Sequence, residues 1–548
     1  MNIAHLLHST AASAGDLVAT RYSTTEQTYA ELAARVRSLA AAFRSLGLAP
    51  GDRVGFLMWN RPEVVETFFA CWHAGLVVVP LNPRLTTDEV VHHLTDPEAS
   101  ALVHGPEFAE VAGAASGQVP SLRHVVAVDA APHHGDDPLP SGDGTSSPPR
   151  HVTPSPDRGR TSSPDPVRHA YDELIGAHPD DSTPVADVTA DELAWLFYTS
   201  GTTGRPKGAM ITHGILGFVA LGWVADIMPL RRTDVTLHAA PLTHGAGFHM
   251  LAATSHACTQ VMTPEPSLDA AATLDLIERE GVTNTWMVPT QVSRLVREQQ
   301  VRPRDLSRLH SLLYGGAPYH QEALREAVEL LGSRLVQLYG QGETPMTATY
   351  LPHEDHHPDT DPSLLASAGI VRTGMRVRVV DEHDQECPDG TAGEICVQGP
   401  AVVPGYWRRP EETAHALRGG WLHTGDVGFF SQGYLHVTDR MKDLIISGGS
   451  NVYAKEVEDV ILTHPAVREV AVVGLPDPDW GERVTAVVVP HDLVSFDPQE
   501  LRDFCGARMA AYKKPKEVVV LPELPLSTYG KVLKRELRRQ LATERTTT

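Results

Sequence analysis

Residues 198 to 208 read "YTSGTTGRPKG" and concentrate groups that hold an anion. Hydroxyls at Thr199, Ser200, Thr202 and Thr203 can donate, Gly201 and Gly204 let backbone N–H groups approach closely, and Lys207 adds a positive charge. The chemistry that suits is the gripping of phosphate. A P-loop, G-x-x-x-x-G-K-[ST], is excluded. Counted from Gly201, its second glycine falls on Pro206 and its Ser or Thr on Gly208. This is a different phosphate loop. Its flanks predict what must position it: "LAWLF" as a buried strand before it, and a helix opened by Thr212 after it.

A chain of 548 residues, 42% hydrophobic and 21% charged, is expected to form more than one soluble globular domain. The formal charge of −22, from 46 Lys and Arg against 68 Asp and Glu, argues against a nucleic-acid partner. Cys71, Cys258, Cys387, Cys396 and Cys505 form no C-x-x-C pair and read as reduced packing residues. No run is long enough for a membrane span, and the N-terminus lacks the pattern of a secretory signal, so a cytoplasmic location is expected.

Thr28 and Glu31 are spaced as a capping box before a helix with Leu32, Val36, Leu39 and Phe43 on one face. Strand-like and helix-like pieces then alternate as far as "RLVQLYG" at 334–340, the pattern of helix-covered sheets. Nine prolines between 132 and 166 mark an insertion, placed at 131–187 and expected to be disordered. After Gly369 short β-like pieces follow, and a small α+β unit is expected from Lys442 to the end, with 1–441 as the large unit. "HEDHHPD" at 353–359 lacks the spacing of a zinc helix and is expected to be a solvated loop.

Seven motifs in order resemble the adenylate-forming (AMP-binding) superfamily, closest in style to acyl- and aryl-CoA synthetases. They are "YTSGTTGRPKG", "PLTHGAG" at 241–247, "YGGAP" at 314–318, "LYGQGE" at 338–343, "HTGD" at 423–426, "DRMKDLIISGG" at 439–449 and "PLSTYGKVLKREL" at 525–537. The resemblance implies an α/β fold: a large N-terminal domain of helix-covered sheets with a β-rich subdomain, and a small mobile C-terminal domain. It implies that ATP, Mg2+ and coenzyme A are used, and that the loop grips the departing β- and γ-phosphates. Lys531 corresponds to the lysine that meets charge growing on the α-phosphate, and Glu343 to the magnesium ligand. Asp426 matches the ribose-binding acid, and Arg440 the arginine approaching ribose and phosphate. Gly315, Gly316, Ala317, Pro318 and Tyr339 match the adenine slot. Lys442 matches the hinge, and Gly448 and Gly449 a loop beside the thiol tunnel. One departure stands out: the family's Thr before the acid is Gly342 here, with Thr344 beyond Glu343 as a substitute phosphate contact.

The acid pocket is expected to include His244, as a gate, with Phe248, Val288, Gly315, Gly316 and Met346. No Asp or Glu lies between Pro241 and Gln260 to meet an α-ammonium, which disfavours an amino acid and favours a fatty or aromatic acid. Free CoA is the expected acceptor. The alternatives are a carrier protein or an amine, with unusual oxyanions such as nitrite included, and a nucleotide-binding regulator without turnover.

Overall fold

The capping box expected at Thr28 forms: the Thr28 hydroxyl accepts the Glu31 N–H while the Glu31 carboxylate accepts the Thr28 N–H. The helix it starts, Tyr29–Ser45, lies against the helix Pro62–Ala74, which opens on a proline and stops at Gly75 with φ of 77°. Pro62–Ala74 is apolar on nearly every face, and residues 64 to 74 are all buried. One of them is Glu66. Its charge is met by Arg35 at 2.6 Å, Gln27 at 2.8 Å and the Tyr171 hydroxyl at 2.9 Å. Removing a partner from such a buried group costs about 3–5 kcal/mol. The coordinates, a computed structural model, describe residues 1–129, 165–179, 183–199, 206–263, 268–447, 450–477, 480–526 and 532–546.

Two mainly parallel sheets form the large unit. A seven-stranded sheet ends with Leu193–Thr199 beside Val77–Pro80, then Lys207–Thr212 antiparallel at its edge. A nine-stranded sheet carries Ser311–Gly315 and Leu335–Tyr339 as parallel neighbours. The main core joins the faces of both, with Phe56, Phe68, Trp72, Trp195 and Phe248 fully buried. A four-stranded antiparallel sheet follows, in which Leu422–Ser431 pairs with Gly393–Gln398 and Tyr434–Arg440. The residues after Ile445 form a five-stranded sheet with helices Ala454–Leu462, Pro498–Gly506 and Lys534–Thr546. No helix among the described residues is long and apolar enough to cross a membrane.

The strand and the Thr212-capped helix form as expected, at Leu193–Thr199 and His213–Gly222, and Lys207–Thr212 between them is a further strand, antiparallel to Leu193–Thr199. Two expectations need correction. Within the stretch assigned to a disordered insertion, Val167–Ala170 pairs with His124–Ala127, and the helix Tyr171–Ala177 buries Tyr171 on Glu66. Composition is polar there because a few apolar anchors suffice at a sheet edge. The remainder, 130–164 and 180–182, lies outside the described residues. In "HEDHHPD", His357 and Asp359 are exposed, but His356 is fully buried with Nε2 3.0 Å from the Tyr314 hydroxyl.

Burial pulls several ring pKa values down: His93, His238 and His356 each fall to about 4. Unfolded histidines take up protons near pH 6.5, so stability from these neutral rings is full above that pH and is lost as pH falls toward about 4. Thermal melts between pH 7 and pH 4 are expected to show a falling melting temperature through this window. A flat profile would contradict the neutral, buried rings.

Candidate active site

The strand Leu422–Ser431 meets Gly393–Gln398 with a register shift between Glu394 and Cys396, and Gly425 at φ 67° turns the chain there. Glu394 accepts the Gly425 N–H at 3.2 Å, and Thr424 donates to the Ile395 carbonyl at 2.7 Å. This irregularity sets Asp426 at 4% exposure under three donors. Tyr339 OH and Gln341 Nε2 donate to Oδ2 at 2.9 and 2.7 Å, and Arg440 Nε lies 3.0 Å from Oδ1. Burial and, after it, Asp426 push the Tyr339 phenol far up, and Asp426 raises the Arg440 guanidinium. A carboxylate offers about four acceptor positions, so one remains, and moving Arg440 frees a second. That capacity suits a diol.

Two residues beyond Gln341, Glu343 is 8% exposed, and its Oε1 accepts from Thr199 Oγ1 at 3.1 Å and from Tyr406 OH at 2.9 Å. Lys207 Nζ sits over the Tyr406 ring, 5.0 Å from its centroid. A carboxylate with hydroxyls at its edge is a hard oxygen set that fits Mg2+, a metal that keeps several waters. Tyr406 and Gln341 were not among the sequence candidates. Tyr406 is 63 positions from Glu343, with no spacing to betray it.

Gly342 has a packing reason: a Cβ there would lie 2.5 Å from Thr199 Cγ2 and 2.7 Å from Phe197 Cδ1. Thr344 is 1% exposed, and its hydroxyl accepts the Gln341 N–H at 3.0 Å, so that oxygen is engaged inside the turn. Gly316, at φ 78°, and Pro318 are exposed and Ala317 half-buried, while a Cβ on Gly315 would meet the Leu338 carbonyl at 2.3 Å.

At the acid end His244 is the partly exposed end of a stack, 4.6 Å from Phe197, which stacks in turn on Phe248 at 5.8 Å. Phe248 is fully buried against Trp195, one layer behind the wall it was expected to form. Met346, at φ 56°, and Trp286 close over Gly245, where a Cβ would lie 2.1 Å from the Met346 sulfur and 3.3 Å from Trp286 Cη2. No motif announced Trp286 at this contact. Val288 is half-buried at the start of the helix Pro289–Val301. Ser200, Gly201, Thr202, Thr203, Gly204, Gly448, Gly449 and Lys531 lie outside the described residues, as does the side chain of Lys442.

Restoring a threonine at 342 should overfill this contact. Gly342→Thr is expected to cost about 1–3 kcal/mol of stability and to weaken ATP binding, with Phe197→Leu recovering part of both. Chemical denaturation and calorimetric ATP titration of the single and double variants measure it, and an undisturbed single variant would contradict the close packing.

Residues 7–407 match the AMP-binding enzyme family, and residues 456–531 match the AMP-binding enzyme C-terminal domain. Feruloyl-CoA synthase of an Amycolatopsis species is 39% identical over 524 residues, 95% of each chain. Indoleacetate–CoA ligase of Aromatoleum aromaticum is 34% identical over 525 residues, 96% of this chain and 95% of its own. Among solved structures, amide bond synthetase McbA from Marinactinospora thermotolerans superposes with a TM-score of 0.82 at 29% identity, covering 98% of this chain and 99% of its own. With a sheet irregularity that presents Asp426, a carboxylate at Glu343 against Thr199 at the end of its strand, and these matches over nearly its whole length, the chain belongs to the AMP-binding enzyme family.

Proposed function

We infer that the protein is an ATP-dependent, AMP-forming acid:CoA ligase. The observation that carries this reading is the gathering of Thr199, Lys207, Glu343, Asp426 and Arg440, from separate stretches of chain, into two sets of contacts that the 341–343 stretch joins. A carboxylate is a poor acyl donor. Its oxygen attacks the α-phosphate of ATP, the bond to pyrophosphate breaks, and an acyl-adenylate results. The thiol of CoA then attacks the carbonyl and AMP leaves.

In this reading Asp426 holds the ribose, the 315–318 segment and Tyr339 frame the adenine, and residues 199–207 hold the departing phosphates. Glu343 would hold Mg2+, which when bound neutralises phosphate charge. Lys531 lowers the barrier by meeting charge that is larger in the transition state than in the ground state. The small unit, with its boundary at Lys442, rotates to present Lys531 and then the Gly448–Gly449 loop. His244 gates the thiol path.

The substrate is a fatty or aromatic acid. The aromatic faces of His244, Phe197 and Trp286, and the kinship to feruloyl-CoA synthase, favour an aromatic one. A second reading, transfer to an amine, draws on the likeness to the amide bond synthetase.

Exchange of labelled pyrophosphate into ATP is expected to depend on the acid, and AMP release on CoA. Lys531→Ala is expected to slow the exchange about a hundredfold or more while leaving thioester formation from supplied acyl-adenylate largely intact. No exchange and no AMP with a broad panel of acids would overturn the reading; adenylate formation with CoA untouched and an amine consumed would favour the second.

A further inference from the structure

Tyr406 stands between two groups of opposite charge that are assigned to one polyphosphate. Its hydroxyl donates to Glu343 Oε1 at 2.9 Å, and its ring face carries Lys207 Nζ at 5.0 Å from the centroid. Among the described residues no ion pair joins Lys207 to Glu343 directly.

The seat of this ring is built from several directions. Gly405 O accepts the Met210 N–H at 3.0 Å and Trp407 N–H donates to Gly208 O at 2.8 Å, so Tyr406 bridges Ala209 antiparallel at the edge of Lys207–Thr212. Tyr406 N–H donates to Thr413 Oγ1 at 2.9 Å. Arg408 grips Glu98 with two bonds of 2.7 and 2.8 Å, and Arg409 meets Asp96 at 2.6 Å, whose other oxygen accepts from Tyr198 OH at 2.8 Å. The strand that carries Lys207 and the segment that carries Tyr406 therefore move as one piece.

We propose that Tyr406 is a positioning residue that keeps Lys207 and Glu343 from pairing with each other, so that each stays available to magnesium-bound ATP. The proposal rests on the acid:CoA ligase reading for the identity of the ligand. A lysine and a carboxylate with one anion to serve would otherwise close into a contact pair, and ATP would have to break it. The phenol satisfies the carboxylate with a neutral donor, and the ring satisfies the ammonium with a π face, so neither charge is cancelled. A carboxylate left uncancelled holds a divalent cation; an ammonium left uncancelled holds phosphate oxygens.

Two variants separate the parts. Tyr406→Phe keeps the ring and removes the donor, and Tyr406→Leu removes both. Calorimetric titration of each full-length protein with ATP in excess Mg2+, and again with ATP in EDTA, is read beside the melting temperature of the ligand-free protein. Tyr406→Phe is expected to weaken binding of magnesium-bound ATP by about tenfold, with metal-free ATP affected much less, because the loss falls on Glu343. Tyr406→Leu is expected to weaken both forms, as Lys207 is captured too. Wild-type affinity for magnesium-bound ATP in Tyr406→Phe, or equal losses with and without the metal, would overturn the proposal, and the Phe variant decides the matter if the Leu variant does not fold. A wild-type protein that binds no ATP in either condition would instead overturn the ligase reading beneath it.

Discussion

A carboxylate and an ammonium that must both serve one polyphosphate are a standing danger to each other. At 4 Å and an effective dielectric constant of about 20, two unit charges attract by about 4 kcal/mol, more than the about 0.5–2 kcal/mol of a cation over a ring. In the proposed arrangement the Tyr406 ring works together with rigid placement, through the strand Lys207–Thr212 under the ring and the Arg408 and Arg409 pairs behind it. By contrast Asp426 and Arg440 are directly paired at 3.0 Å, with the carboxylate buried and Arg440 45% exposed.

His320, just past the 314–318 motif, meets Asp459 of the C-terminal stretch at 3.1 Å, while Asp443 pairs with Arg538 at 2.9 Å within that stretch. Partly exposed pairs of this kind are worth about 0–1 kcal/mol each. Such contacts define one arrangement without locking it. Across the Lys442 boundary, burial raises the Asp439 carboxyl, while Glu458 and Asp439 hold the buried Lys534 charged against the pull of burial.

Local signals carried what local physics determines. The Thr28 box and the strand at Leu193–Thr199 were legible because caps and apolar runs act within a few residues. Asp426 and Glu343 were singled out only through the resemblance of their motifs to a known family. Tyr406, Trp286 and Gln341 were not, since what places them is packing between distant strands. His356 was misread for a related reason: one Tyr314 hydroxyl converts a polar loop residue into a buried one. Gly342 looked like a lost hydrogen bond, and only the neighbours Thr199 and Phe197 reveal it as a steric necessity.

The central claim is that the acid's own oxygen ends on the nucleotide. Turnover of a carboxylate labelled with oxygen-18 at both oxygens, with mass analysis of the products, tests it most directly. The account requires one labelled oxygen in AMP and one kept in the thioester. Unlabelled AMP, or label recovered in inorganic phosphate, would contradict it.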